Sequence, residues 1–419
     1  MLTISRERGA VRPGAHRFQR LLNGLNLHSM ASAPTILVTG TNGKGTVCAF
    51  LESALREARL RTALYTSPHL VSVTERVRTQ GLPVSESDFK KALMLVEAQV
   101  PSSLPNASEF EILSAAAALV FHSQPVDVAI VEIGLGGLFD STNACEPAVS
   151  VLTSVGLDHT EFLGSTLEAI ARDKAYISRR NQPLVVGELS PNALQAASET
   201  TRITGARIAH YNTLSRRWDC VFHEIMNRAN SWISANAQNL CVALKALEEF
   251  EVQIQSPLCT SDIVSGVLHT VWPGRFDERT VGNRTFVFDG AHNEQGFHFF
   301  EKQFAQSEYS QTKPLFIYAS LSDKPWQVII PNLHRLASRI IFTEVRSERA
   351  VQAQNLLKFA TERLPKHHHS HAPNVREALA MALAAPTTAP IFIVGSLALV
   401  GEAMENLSVD PFEKLRGHA

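Results

Sequence analysis

The chain has 419 residues, room for two or three domains at roughly 100–200 residues each. Apolar residues make up 45% and charged residues 19%, a composition that excludes a disordered chain. With 39 Lys+Arg against 40 Asp+Glu the net charge is −1, which argues against nonspecific nucleic-acid binding, and no apolar run reaches the roughly 18 residues of a membrane span.

The first thirty residues carry Arg6, Arg8, Arg12, Arg17 and Arg20 against one acid, Glu7. That composition resembles a transit peptide with Met30 as an internal start and leaves a mitochondrial address open. An amphipathic helix over 18–25 with a solvated basic face is the preferred reading, and a cytoplasmic location goes with it. Residues 35–39 read as a buried strand ending at a glycine. Gly40-Thr-Asn-Gly-Lys-Gly-Thr46 follows, then a helix over 47–58 and a second strand at 61–65. The pattern predicts helices over 87–100, with N-cap chemistry in Ser85-Glu-Ser-Asp88, and over 110–121. Strands at 126–131 and 148–153, a helix over 167–177 and a strand at 183–186 complete an alternation that argues for a parallel sheet covered on both faces.

A helix spans 236–250, and a loop-rich stretch with Pro257, Pro273 and Gly274 follows. Alternation then restarts with strands at 285–288, 315–318, 339–343 and 390–394. This places a domain boundary near 280, giving domains 1–280 and 281–419. Lys366-His-His-His-Ser-His371 reads as a solvated loop rather than a weak metal site, because no acidic or Cys ligand is close in sequence. Cys48, Cys145, Cys220, Cys241 and Cys259 are odd in number with no C-x-x-C pair. Neither a disulfide framework nor a zinc site is indicated, which points inside the cell.

Three segments carry chemistry. Residues 40–46 follow a strand and open a helix, the context a phosphate loop requires. Backbone N–H groups and the helix dipole favour phosphate there, Lys44 can reach the terminal phosphates, and the Thr46 hydroxyl can face Mg²⁺. The spacing, G-x-x-G-K-G-T, departs from G-x-x-x-x-G-K-[ST]. In Val131-Glu-Ile-Gly-Leu-Gly-Gly137, Glu132 lies just past an apolar run. An unpaired carboxylate is costly there, a metal or cation would resolve the cost, and an edge glutamate before a loop is the other reading. The third segment, Thr153 to Thr160, puts Asp158 and His159 at another strand end. Ligands of open parallel sheets sit outside the carboxyl ends of the strands, so Lys44, Glu132 and His159 are expected to converge on one edge.

Taken together the motifs resemble the folylpolyglutamate synthase/dihydrofolate synthase family, of the Mur ligase type. The resemblance runs in order through GTNGKGT at 40–46, Thr66-Ser-Pro-His-Leu70 with Thr74-Glu-Arg-Val-Arg78, Glu109-Phe-Glu111, Glu132 to Asn143, Ser154 to His159 and Arg172-Asp-Lys-Ala175. It continues through the helix holding Asn239, Trp272-Pro-Gly-Arg-Phe276, Asp289-Gly-Ala-His-Asn293, Asp323-Lys324 and Gly395-Ser-Leu397.

The resemblance implies a two-domain α/β fold: an N-terminal P-loop ATPase domain with a parallel sheet, and a smaller C-terminal Rossmann-like domain. It implies an ATP-dependent amide ligase of folate biosynthesis that phosphorylates a pterin-type carboxylate, dihydropteroate or folylglutamate, and joins glutamate to the acyl phosphate. By carry-over Asn42, Gly43, Lys44, Gly45 and Thr46 hold the phosphates, with Asn239, Arg275 and Asp289 also on ATP. Thr46, Ser67, Glu132 and His159 ligate Mg²⁺, with K⁺ as a further candidate cation. Arg76 and His292 fall on the glutamate side, and Lys174 matches a lysine carbamylated in the family. The catalytic set is thus Lys44, Lys174, His159, Arg76 and His292. Glu109, Phe110, Glu111, Leu138, Phe139 and Asp140 are the acceptor-pocket candidates. The expected partners are small molecules only, for a monomer that binds neither nucleic acid nor membrane.

Several positions depart from the family pattern. Leu138 stands where Arg is frequent, Phe139 replaces Leu, Glu294 replaces Pro and Tyr176 replaces Gly. The segment before Asn239 lacks the frequent H-Q. The phosphate and metal motifs are largely intact while the substrate motifs are altered, a pattern suited to an acceptor that has drifted. A ligase of the same mechanism acting on another carboxylate and amino acid is therefore an alternative. A weakly catalytic binding protein and a phosphotransferase that stops at phosphorylation are the others.

Overall fold

The computed structural model describes residues 15–365, 368–386 and 388–417. Arg6, Arg8 and Arg12, and with them the transit-peptide reading, lie outside the described residues. The chain divides into two compact units. The first runs up to Pro68 and resumes over Val73–Thr270; the second is His69–Ser72 with Val271–Ala419. The boundary expected near 280 falls inside a strand of the second unit, Asp277–Val281.

The first unit holds β1 (Thr35–Thr39), β2 (Thr62–Tyr65), β3 (Val77–Thr79), β4 (Leu82–Pro83), β5 (Val128–Glu132), β6 (Pro147–Leu152), β7 (Pro183–Val186) and β8 (Arg207–His210). They lie in the order β4-β3-β2-β5-β1-β6-β7-β8. From β2 to β8 the pairs are parallel; β3 and β4 add an antiparallel edge too short to show a pattern in sequence. Central β1 and β5 are buried at every residue, so both read as near-continuous apolar runs. One face packs Leu37, Tyr65, Ile112 and Val131, the other Ile36, Val38, Phe50 and Leu244, so helices cover both faces as expected.

Helix Ala15–Gly24 buries Phe18, Leu21 and Leu22, in line with the amphipathic reading. Its basic face is not wholly solvated. Arg17 Nε donates to Glu111 Oε1 at 3.3 Å and Arg17 Nη2 to the Asn106 carbonyl at 3.2 Å.

The second unit holds β9 (Asp277–Val281), β10 (Arg284–Asp289), β11 (Leu315–Tyr318), β12 (Arg339–Phe342), β13 (His368–His371) and β14 (Ile391–Val394), ordered β13-β12-β11-β14-β10-β9. All pairs are parallel except the β9–β10 hairpin, which turns at Gly282 with φ 62°. The loop expected at the histidine-rich segment is corrected here: His368–His371 pairs along β12, Arg339 opposite His368 and Phe342 opposite His371. Four consecutive polar residues give no apolar alternation, and it is the ladder with β12 that makes the strand.

On one face of this sheet Phe392 meets Phe316 at 5.1 Å, Phe304 at 5.5 Å, Tyr309 at 5.6 Å and Phe300 at 6.0 Å between ring centroids. Deleting a fully buried aromatic removes apolar area and leaves a cavity. Phe392→Ala is expected to destabilise the second unit by about 3–5 kcal/mol. Denaturant unfolding with a probe in that unit measures it, and a loss below about 1 kcal/mol would show that the cluster collapses into the space. Among the described residues no helix is long and apolar enough to cross a membrane.

Candidate active site

The carboxyl ends of β1, β5 and β6 lead into the three chemistry-bearing segments, so the topology carries them to one edge of the first sheet. The phosphate loop is bolted to the segment after β6. Thr153 Oγ1 and Ser154 Oγ donate to the Asn42 carbonyl at 2.6 and 2.9 Å, and the Asn42 N–H donates back to Ser154 Oγ at 3.0 Å. Thr41 Oγ1 accepts from the Gly156 N–H at 2.9 Å. On the other side Thr39 Oγ1 donates to the Gly136 carbonyl at 2.6 Å, tying β1 to the glycine-rich loop after β5. Sequence reading took these hydroxyls as part of a motif and missed them as latches; the signal was a run of Thr and Ser at a strand end.

Gly43 precedes helix Lys44–Glu57 with φ 85°, and a Cβ there would lie 2.5 Å from Asn239 Oδ1, so loop and Asn239 are in close approach. Lys44 folds back along the loop, its Nζ donating to the Gly40 carbonyl at 2.9 Å. From helix Leu167–Ala175, Lys174 Nζ reaches the same carbonyl at 3.1 Å. Two cationic groups on one oxygen in a buried place are unfavourable. Burial first, and Lys44 second, lower the Lys174 ammonium to about 7, although Asp173, Asp158 and Asp140 pull it the other way. The neutral amine is therefore far more accessible at Lys174 than at an ordinary surface lysine.

Lys44, His159 and Lys174 line one small cavity with Gly40, Thr41, Gly134, Leu135, Gly136, Asp158 and Leu163. His159 has a left-handed backbone, φ 49°, and its side chain is 45% exposed. Glu132, at the end of β5, is buried, and its Oε2 accepts the Ser67 N–H at 3.0 Å. Two of the candidate metal ligands thus touch directly.

The acceptor-side candidates divide. A Cβ on Gly134 would lie 2.5 Å from Phe110 Cζ and 3.2 Å from Asp140 Oδ2, which gathers Phe110 and Asp140 at the start of the glycine-rich loop. Asp140 also shapes that loop. Oδ2 accepts from the Leu135 N–H at 2.8 Å and Oδ1 from the Thr142 N–H at 2.9 Å, while burial raises its pKa. Phe139 is 55% exposed, and the Leu138 N–H donates to the Asp173 carbonyl at 3.1 Å. Glu111 is engaged elsewhere: it closes a capping box with Ser108 at the start of helix Glu109–His122 and pairs with Arg17. Glu109 opens the same helix. Arg76 ends a 3₁₀ turn, Val73–Arg76, beside the buried Tyr65 hydroxyl.

Two further residues shape this corner: Asp173, marked in sequence only as a neighbour of Lys174, and Arg179, which sequence reading did not single out. Asp173 Oδ2 is buried with no hydrogen-bond partner among the described residues, and burial raises this carboxyl. Arg179 Nη2 donates to the carbonyls of Asn143 and Cys145, and its Nη1 to that of Ile177, which fixes the end of the Lys174 helix against the loop after Asp140. Arg179 has no local motif to announce it.

In the second unit Asp289 ends β10. Its Oδ2 accepts from the Phe276 N–H at 2.9 Å and Oδ1 from the Ala291 N–H at 2.8 Å; burial raises the carboxyl and Arg275 opposes the shift. His292 Nδ1 lies 2.8 Å from the Gly290 carbonyl, and the Gly290 N–H donates to Gly274 at 3.0 Å. Arg275, Asp289 and His292 are thus held in one backbone-tied corner.

Residues 38–253 match the family model of the Mur ligase middle domain, and residues 275–406 that of the dihydrofolate synthetase C-terminal domain. The chain is 31% identical over 369 residues to a dihydrofolate synthase/folylpolyglutamate synthase of Bacillus subtilis, covering 83% of this chain and 84% of that one. It is 30% identical over 417 residues to a probable dihydrofolate synthetase of Schizosaccharomyces pombe, covering 95% and 99%. Among solved structures, the folylpolyglutamate synthase of Mycobacterium tuberculosis complexed with ADP matches with a TM-score of 0.84 and 27% identity over 96% of both chains. The bifunctional synthase of Yersinia pestis complexed with AMPPNP and Mn ion gives 0.81 and 28%, again over 96% of both. With its fold, its phosphate loop and both family models in agreement, the chain belongs to the dihydrofolate synthase/folylpolyglutamate synthase family of Mur-type ligases.

Proposed function

We propose that the chain joins L-glutamate to a pterin-type carboxylate, dihydropteroate or a folate, at the expense of ATP. The observation that carries this reading is the meeting of Lys44 and Lys174 on the Gly40 carbonyl at the mouth of the phosphate loop. A carboxylate oxygen attacks the γ-phosphorus and ADP leaves. The glutamate nitrogen then attacks the acyl carbon, phosphate leaves, and the amine gives up a proton. Neither step needs a covalent nucleophile from the protein; both need charge neutralised and reactants aligned.

The residues fit this task. The left-handed Gly43 and the helix start behind it form a cradle that a Cβ would fill, suited to phosphate oxygens. Gly43, Lys44, Gly45 and Thr46 hold the phosphates, with Asn42 fixing the loop and Asn239 against it. Arg275 and Asp289 serve ATP from the second unit. Glu132, Thr46 and Ser67 offer hard oxygens and His159 a nitrogen, a set that fits Mg²⁺, whose contribution when bound is to offset phosphate charge. Arg76 and His292 are assigned to glutamate, and Phe110, Phe139, Asp140 and Leu138 to the acceptor. Glu109 and Glu111, at the start of helix Glu109–His122, are assigned to the same pocket.

The test is ATP turnover against a panel of pterin acids and amino acids, with mass detection of the amide. ADP release that requires both acid and amine supports the ligase. Release with acid alone, and no amide, would leave a phosphotransferase instead. A second reading, a ligase for another acceptor, rests on Leu138, which cannot make the paired hydrogen bonds of an arginine. Leu138→Arg is expected to shift acceptor preference by about tenfold or more, the scale of one charge-assisted hydrogen bond, while the apparent affinity for ATP changes little. Equal changes in both would assign the position to the fold.

A further inference from the structure

The histidine-rich strand β13 plays no part in the ligase reading. His369 lies opposite Ile340 of β12, and His334 approaches it from the last turn of helix Trp326–Leu336. His334 Nδ1 stands 3.3 Å from His369 Nε2, with ring centroids 5.4 Å apart and tilted by 59°. The Phe342 ring packs 5.8 Å from His369 and gives the pair an apolar wall on one side.

Two imidazole nitrogens bound to one ion at about 2.0–2.1 Å with a tetrahedral angle stand about 3.3 Å apart. The two rings are therefore at the separation a shared ion requires. Among the described residues no third His, Cys, Asp or Glu joins such a group.

We propose that His334 and His369 form a two-histidine site for a borderline divalent transition ion, Zn²⁺ or Cu²⁺, distinct from the ligase centre. With no carboxylate in the pair, Mg²⁺ has no hard oxygen to bind and does not compete. An ion held there links helix Trp326–Leu336 to the edge strand, closing the chain between residues 334 and 369. Because it binds only the folded arrangement, it stabilises the second unit.

The experiment uses the full chain, freed of metal by a chelator and then kept in excess Mg²⁺. Zn²⁺ is titrated in competition with a chromophoric chelator, and Tm is followed in parallel. The expected result is one saturable site and a rise in Tm. Both weaken by at least about tenfold in affinity in His334→Gln and in His369→Gln, and both are unchanged in His368→Gln, whose side chain leaves the opposite face of the strand. Wild-type affinity in either of the first two variants, or no saturable binding in the parent, overturns the proposal. It would leave a plain N–H···N bond between neutral rings. Should a variant fail to fold, Cu²⁺ on the parent protein decides: two equatorial imidazole nitrogens in its electron spin resonance support the site, and one or none sinks it.

Discussion

Lys44→Ala is expected to lower turnover by on the order of 10²–10³-fold or more while the protein stays folded. The side chain sits at the start of helix Lys44–Glu57, and its Nζ lies on the Gly40 carbonyl, inside the cavity it shares with His159 and Lys174. As charge moves through the transferred phosphoryl group, this is the cation already placed at the loop, and losing a preorganised stabiliser costs a few kcal/mol of barrier. The substitution also removes the neighbour that helps hold down the Lys174 ammonium, so Lys174 should become more basic. Steady-state kinetics with far-UV circular dichroism is the check. Turnover within a few-fold of the parent would refute the assignment of the phosphate loop.

Lys174→Ala is expected to abolish amide formation, with partial recovery on adding acetate or formate. The amine is buried, its pKa is lowered to about 7, and it is aimed at the phosphate loop rather than at solvent. A neutral amine is what carbon dioxide adds to, and the resulting carbamate offers anionic oxygens to a hard divalent ion. The sign of the pH effect follows. The ammonium loses its proton as pH rises through about 7, so carbamate formation, and activity dependent on it, should rise across that window and fall below it. Bicarbonate should steepen the rise. Full activity in the unsupplemented variant would end the idea; loss without rescue by short carboxylates would show that the lysine is essential without assigning its chemical form.

Much of the architecture could be read from sequence because the central strands are buried on both faces, and strands such as Ile36-Leu37-Val38 announce themselves as apolar runs. The five strands that the sequence did not announce are those whose partners decide them. Val77–Thr79 and Leu82–Pro83 are two or three residues long, Arg207–His210 and Asp277–Val281 are edge strands with few apolar residues, and His368–His371 is polar throughout. At the candidate site, Lys44, Glu132 and His159 were legible because each lies in a glycine-bearing segment at or after the carboxyl end of a strand. Arg179 was not, and of Asp173 only its place beside Lys174 was, since their contacts are with Asn143–Cys145 and Gly136–Leu138, some thirty-odd residues away in sequence. Glu111 shows the opposite error: a carboxylate in a resembling motif whose visible work is to cap its own helix and hold Arg17. Period and propensity register what a residue does along its own element, and they are silent on what it does across the fold.

The hydroxyl latches on Asn42 have a thermodynamic consequence. With its carbonyl held by Thr153 and Ser154 and its N–H by Ser154, the residue at the centre of the loop has little conformational freedom left to lose. Nucleotide association should therefore carry only a small ordering penalty from this segment. The amide of Asn42 should exchange slowly with solvent deuterium even in the ligand-free protein, and adding ADP should slow it little further.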